Sequence, residues 1–377
     1  MSEERKLKVI LSGGGTGGHI YPAVAVAEAL GRRLDDRLDI LFVGAEGKME
    51  MEKVPALGYP IVGLPVAGLQ RRLTLRNLAV PAKVLASLVK ARRVIRRFGA
   101  DVVVGFGGYA SAPVLWSAQR MGIPTLIQEQ NSYAGVTNKL LASRARRICV
   151  AYEGMERFFP ADRIVLTGNP LRGRFAASGD AAALKAEALA HFGLEAGKPV
   201  VLVVGGSLGT RTLNEAMKAH ADEIVREGRF QVIWQTGKYY EREMDEFMRG
   251  RDARGIWRGA FIERMDLAYA AADIVVARSG AGTVSELCLV GKAVVFVPSP
   301  NVAEDHQTKN AMALADRGAA LVVPDREAVA RVFSEAGRLL ADDAMRSEME
   351  KNIRALAVAD SADRVADEIL KVVKRSE

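Results

Sequence analysis

The stretch Val9-Ile10-Leu11-Ser12-Gly13-Gly14-Gly15-Thr16-Gly17-Gly18-His19-Ile20-Tyr21-Pro22 decides the fold. Residues 9–11 form an apolar run of the kind that makes a buried strand. The glycines that follow permit a tight turn and a close backbone approach. Pro22 opens a helical pattern running to residue 34, since proline suits the first turn of a helix. A strand, a glycine turn and a helix N-terminus together receive phosphate, because the first N–H groups of a helix point outward unbonded. Gly13, Gly15 and Gly18 also satisfy G-x-G-x-x-G, a pattern that a glycine run meets easily. His19 is the more informative residue. It stands where the loop becomes helix and reads either as a structural histidine or as a general base.

The same plan continues outward. Apolar strands are expected at residues 39–43, 59–64, 101–106, 124–128, 147–151 and 164–166, with helical patterns at 22–34, 46–57, 78–98 and 112–121. Such alternation predicts a parallel sheet covered by helices on both faces. Its ligands then lie beyond the strand carboxyl ends, where Gly107-Gly108-Tyr109-Ala110-Ser111 and Glu129-Gln130-Asn131 also fall. Turn residues at Thr167-Gly168-Asn169-Pro170-Leu171-Arg172 mark a linker, after which the plan restarts with a strand at 199–204 and Gly205-Gly206-Ser207-Leu208-Gly209. The fold expected is α/β, with two doubly wound Rossmann-like domains over residues 1–168 and 169–358. The segment 359–377 is expected to form an amphipathic helix that packs back on the first domain, a choice of domain that its spacing alone does not make.

With 377 residues, 49% apolar and 26% charged, the chain has ordinary globular composition. No apolar run reaches membrane-spanning length and no signal region precedes the first strand, so a cytosolic protein is expected. Cys149 and Cys288 are expected to be buried thiols. The four histidines lack metal-ligand spacing. The net charge of +8 suggests an anionic partner. Residues 70–97 hold nine basic and no acidic residues, interleaved with Leu and Val. That pattern fits a solvated helix or one lying on anionic lipid. Nucleic acid is not expected, because no aromatics stand between the basic residues.

Arg278-Ser279-Gly280-Ala281-Gly282-Thr283-Val284-Ser285-Glu286 is a second strand-to-helix turn. Glu286 reads as a helix-start carboxylate favoured by the dipole, or as the acceptor for two ribose hydroxyls beside a diphosphate. Ser207 can donate to a phosphate or to its own backbone. Asp305-His306-Gln307-Thr308-Lys309-Asn310 suits sugar hydroxyls or a polar helix start. The chain has no Asp-x-Asp triplet, so the reading assigns a leaving diphosphate to helix ends and arginines, with no metal and no cofactor.

Taken together and in order, these stretches resemble the MurG family of N-acetylglucosamine transferases over nearly the whole chain. The resemblance implies a GT-B fold, with two Rossmann-like domains facing across a cleft. It implies inverting transfer from UDP-N-acetylglucosamine to lipid I, undecaprenyl-pyrophosphoryl-N-acetylmuramyl-pentapeptide. It assigns His19 as candidate base, and Thr16, Gly17, Gly18 and Asn131 to the reacting region. Tyr109 becomes an acceptor contact. Ile262 meets the uracil through its backbone, and Arg172 and Ser207 lie near the nucleotide. Ala281, Gly282, Thr283, Val284 and Ser285 bind diphosphate, Glu286 the ribose and Gln307 the sugar. Peripheral attachment to an anionic surface, the cytoplasmic face of the cell membrane, is also implied. Three rivals stand beside this reading, and the one of a different class is a basic membrane- or RNA-binding module, which accounts for residues 70–97 but leaves both glycine loops unexplained. A nicotinamide-dependent oxidoreductase lacks the acidic residue expected at the end of the second strand. A UDP-sugar epimerase or a different lipid acceptor would keep the fold and the donor.

Overall fold

The computed structural model describes residues 5–66, 80–172, 180–206 and 208–374, with backbone alone at 80, 81 and 303. The chain divides into two compact units, Met1–Gly173 with Asp360–Glu377, and Arg174–Ala359.

In the first unit the order is β1 (Leu7–Ser12), α1 (Gly17–Leu34), β2 (Leu38–Ala45), α2 (Glu50–Ala56) and β3 (Ile61–Leu64). It continues through α3 (Val80–Phe98), β4 (Val102–Gly105), α4 (Ser111–Arg120), β5 (Thr125–Glu129), α5 (Val136–Leu141), β6 (Arg147–Val150) and β7 (Ile164–Leu166). The second unit runs α6 (Ala181–Phe192), β8 (Val200–Val204), α7 (Arg211–Glu227), β9 (Gln231–Gln235), α8 (Glu241–Met248), β10 (Ile256–Gly259) and α9 (Met265–Ala271). Then come β11 (Ile274–Ala277), α10 (Ala281–Val290), β12 (Ala293–Phe296), α11 (His306–Ala315), β13 (Leu321–Val322), α12 (Ala328–Ala341) and α13 (Asp343–Ala355). The last helix, α14 (Ser361–Lys374), returns to the first unit.

The sheets are ordered β3-β2-β1-β4-β5-β6-β7 and β10-β9-β8-β11-β12-β13, and every pairing is parallel. The order reverses direction between β1 and β4 and, equivalently, between β8 and β11. Those switch points are where such sheets open a crevice for ligands. Strands β1, β4, β8 and β11 read as nearly unbroken Val, Ile and Leu because helices cover both faces. One face of the first sheet packs under α1 and α14, burying Val24, Leu30, Val365 and Ile369; the other packs under α3, α4 and α5, burying Ile95, Leu115 and Leu141.

Two expectations are corrected. Helix α1 begins at Gly17, and Pro22 lies inside it. The ladder already starts with Ile20 N donating to Thr16 O at 3.3 Å, so the glycine turn itself supplies the first helical turn. Proline is tolerated there because the bond it forgoes is a single one near the helix end. Helix α2 is shorter than the pattern at 46–57 suggested, and this places Glu50 in its first turn. Cys149 and Cys288 are free, buried thiols, and burial pushes Cys288 up to about 12 and Cys149 higher still, so both are inert near neutrality.

Candidate active site

In the first unit, the loops after β1, β4 and β5 form one contiguous surface. A Cβ at Gly108 would run into the Gly14 backbone, and one at Gly107 would come within 3.1 Å of His19 Nε2. Both glycines hold positive φ, 93° at Gly107 and 83° at Gly108, which other residues rarely adopt. Gln130 Nε2 donates to Phe106 O at 2.8 Å, tying the third loop to the second. His19 Nδ1 lies 2.9 Å from Gly14 O and 3.4 Å from Thr16 Oγ1. Thr16 and Gly18 are exposed and Gly17 partly so, and no side chain caps α1. Tyr109 is 62% exposed. Asn131 is oriented by Glu129, whose carboxylate accepts from Asn131 N at 3.1 Å, Asn131 Nδ2 at 3.3 Å, Gly135 N at 3.0 Å and Asn138 Nδ2 at 2.8 Å. The structure therefore brings Thr16, Tyr109 and Asn131 on loops, and Gly17, Gly18 and His19 in the first turn of α1, to the sheet's carboxyl edge. Arg172 sits in this unit, where Nε and Nη2 bond Glu28 Oε1 of α1 at 3.0 and 2.7 Å.

In the second unit, α10 starts at Ala281 with Gly280 extended before it (φ −65°, ψ 147°), and no side chain caps it. Ser285 Oγ turns back to donate to Ala281 O at 2.9 Å. Glu286, one turn in, is partly buried and accepts from Tyr269 Oη at 3.0 Å. Burial pushes its carboxyl up to about 7, against the opposing pull of the tyrosine bond. Arg278 is committed to structure, donating to Val297 O at 2.7 Å and Pro298 O at 3.0 Å and pairing with Asp325 at 2.6 Å. Ile262 is buried, only 2% exposed. Gln307 Oε1 accepts from Ser299 N at 2.9 Å. Just before it, Glu304 and Asp305 have positive φ of 55° and 52°, two of three such non-glycine residues among those described. Strain of this kind gathers at ligand-holding loops. Ser207 lies outside the described residues; its neighbours Gly206 and Gly209 both have φ 82°, and a Cβ at Gly209 would run into Thr236 O.

The chain matches the N-terminal domain of glycosyltransferase family 28 over residues 9–150 and the C-terminal domain of that family over residues 200–365. A Parabacteroides distasonis protein is 52% identical over 98% of this chain and 100% of its own length. It is named UDP-N-acetylglucosamine--N-acetylmuramyl-(pentapeptide) pyrophosphoryl-undecaprenol N-acetylglucosamine transferase. The chain belongs to the MurG family of glycosyltransferases. The crystal structure of Acinetobacter baumannii MurG matches with a TM-score of 0.78 at 30% identity, covering 97% of this chain and 99% of that one. The fold is thus GT-B, the expectation drawn from sequence. A UDP-GlcNAc 2-epimerase from Neisseria meningitidis shares this family's fold alone, with a TM-score of 0.67 at 12% identity, covering 97% of this chain and 100% of that one.

Sequence reading of this MurG-family transferase passed over Glu50 and Tyr269. Nothing in Met49-Glu50-Met51 marks a site, and Tyr269 is 17 residues from Glu286 on another helix. A carboxylate buried behind a glycine loop is a signal only once the loop has coordinates.

Proposed function

We propose that the protein transfers N-acetylglucosamine, with inversion, from UDP-N-acetylglucosamine to the 4-hydroxyl of N-acetylmuramic acid in lipid I, giving lipid II for peptidoglycan. One observation carries this reading. In a chain similar end to end to transferases of that name, two helices begin without side-chain caps, α1 bearing His19 and α10 bearing Glu286.

The second unit is the donor half. The Ile262 backbone takes the uracil and Glu286 accepts from the ribose hydroxyls. The N–H groups at Ala281, Gly282 and Thr283, with Val284 and Ser285 behind them, take the diphosphate, and Gln307 takes the sugar. Ser207 and Arg172 act near the nucleotide. The first unit is the acceptor half, with Thr16, Gly17, Gly18, Tyr109 and Asn131 receiving lipid I. His19 Nε2 takes the proton of the 4-hydroxyl as its oxygen bonds the anomeric carbon. The bond from that carbon to the phosphate oxygen breaks, and the electron pair leaves on UDP. The N–H groups at the start of α10 stabilise the charge that develops there.

Attachment to the cytoplasmic face of the membrane is supported by one helix layer. Exposed Val84, Leu85 and Val89 on α3, Trp116 on α4, and Val136 and Leu140 on α5 lie on the same side of the first sheet, among Lys83, Arg92, Arg93, Arg120 and Lys139. Of the basic stretch, residues 70–79 lie outside the described residues. Among the described residues no helix is long and apolar enough to cross a membrane.

The test is a transfer assay with UDP-N-acetylglucosamine and a short-chain lipid I analogue. Product should form, and His19→Ala should lower kcat about 100-fold or more while UDP affinity holds. Absence of product with every acceptor preparation would overturn the reading. UDP-N-acetylmannosamine formed without an acceptor would favour the epimerase.

A further inference from the structure

We propose that Glu50 is a positioning residue that sets the tautomer of His19 through the Gly14–Gly15 peptide group. The proposal deepens the reading of His19 as base and rests on it for its catalytic consequence alone. Glu50 is 0% exposed. Its Oε2 accepts from Gly15 N at 3.0 Å and its Oε1 from Ala45 N at 2.9 Å. Gly15 N belongs to the same planar peptide unit as Gly14 O, and Gly14 O is the partner of His19 Nδ1 at 2.9 Å. A carbonyl oxygen has no proton to give, so Nδ1 carries one. In the neutral ring the lone pair then sits on Nε2, the nitrogen a base needs. The order is carboxylate, peptide, imidazole. It resembles the carboxylate–histidine couple of a catalytic triad, with a peptide group inserted between the members.

The direction of that peptide is the controlled quantity. Gly15, at φ 83°, tolerates either orientation of the unit before it. Flipped, the unit would aim Gly14 O at the buried carboxylate and an N–H at His19 Nδ1. Two facing acceptors repel, so the charge on Glu50 forbids the flip. The flip would also move the imidazole proton to Nε2 and remove the base. Space is reserved for this arrangement. A Cβ at Gly14 or at Gly44 would strike the Glu50 side chain, and a Cβ at Gly108 would strike Gly14.

Glu50→Gln separates charge from shape. Ala45 N is the last residue of β2 and cannot turn, so it keeps the amide oxygen of the glutamine. The amide NH2 then faces Gly15 N, donor against donor, and the flipped peptide becomes the favoured one. The experiment is nitrogen-15 NMR of the full-length protein labelled at its four histidines, with the His19 signals assigned by their loss in His19→Gln. Wild type should show His19 protonated on Nδ1. Glu50→Gln should shift it toward Nε2 and lower kcat by about 10–100-fold, with KM for the UDP-sugar unchanged. A wild-type His19 protonated on Nε2 overturns the proposal without any variant. So does a Glu50→Gln protein that loses melting temperature and turnover yet keeps the wild-type tautomer, since Glu50 then only braces the loop. Full turnover in His19→Ala would sink the base reading instead, and would leave the tautomer result standing.

Discussion

Glu286 is the titratable group whose surroundings say most about ligand binding. Its carboxyl is raised from 4.5 to about 7, first by burial, with the Tyr269 hydrogen bond working the other way. Ribose hydroxyls donate to the ionised form, so nucleotide binding should expel the proton. UDP affinity is therefore expected to rise as pH goes from 6 to 8, with proton release seen as a buffer-dependent heat in calorimetry. Glu286→Gln should bind UDP about 10-fold more weakly with no such slope. The stability linkage has the opposite sign. A carboxyl raised in the folded state binds its proton more tightly there than in the unfolded chain. The stability it lends is present in full below about 4.5 and is lost as pH rises through about 7. Glu286→Gln should accordingly melt higher than wild type at pH 8, and the difference should vanish by pH 4. Equal melting temperatures at pH 8 would show that burial does not hold the proton.

At the scale of elements, α10 is the helix whose first turn the proposed reaction uses. Gly280 before it is already extended, the conformation a following proline requires. Ala281 is the first helical position, where proline is tolerated. Ala281→Pro should keep the fold and remove one N–H from the diphosphate cradle. A charge-assisted hydrogen bond is worth about 1.5–3 kcal/mol. UDP binding should then fall by about 10-fold or more, with uridine binding unchanged. Equal losses for both would place the diphosphate elsewhere. Helix α3 poses a separable question. Leu85 and Val89 are 64% and 51% exposed, so replacing both with Glu removes little packing. The double variant should melt like wild type, lose sedimentation with anionic vesicles, and keep transfer to a water-soluble acceptor. Undiminished vesicle binding would move the membrane contact off this helix.

For the whole molecule, the deciding feature is the return of α14 to the first unit after residues 174–359 have been built. Ala362, Val365, Ala366, Ile369 and Val372 are buried there against α1 and the sheet. Ser361 Oγ donates to Asn169 O at 2.8 Å, and Arg33 pairs with Asp367 at 2.6 Å. Burying a single Val or Ile side chain is worth about 1.5–3 kcal/mol. Three of them match much of the roughly 5–15 kcal/mol that holds a domain folded. The exposed ion pair adds at most about 1 kcal/mol. Removing residues 360–377 should therefore unfold the first unit at 37 °C and leave the second unit's melting transition in place. A truncated chain that melts like the full one would show α14 to be dispensable.

The parallel-sheet plan, both glycine turns and the positions of His19 and Glu286 could be read from the chain itself. Strand, turn and helix start are written within about 15 consecutive residues, and apolar runs and glycines act locally. The start of α1 is not legible in the sequence, because Pro22 signals a first turn whereas Gly17 and Gly18 before it are already helical. Three things only the tertiary structure decided. They are the seat of α14, the Tyr269–Glu286 bond and the grip of Glu50 on the Gly14–Gly15 peptide. Each joins groups from different elements, and which side of a packed sheet an element joins is set by burial across the fold. Glu50 and Gly15 are 35 residues apart and meet only because β1 and β2 are neighbours in the sheet.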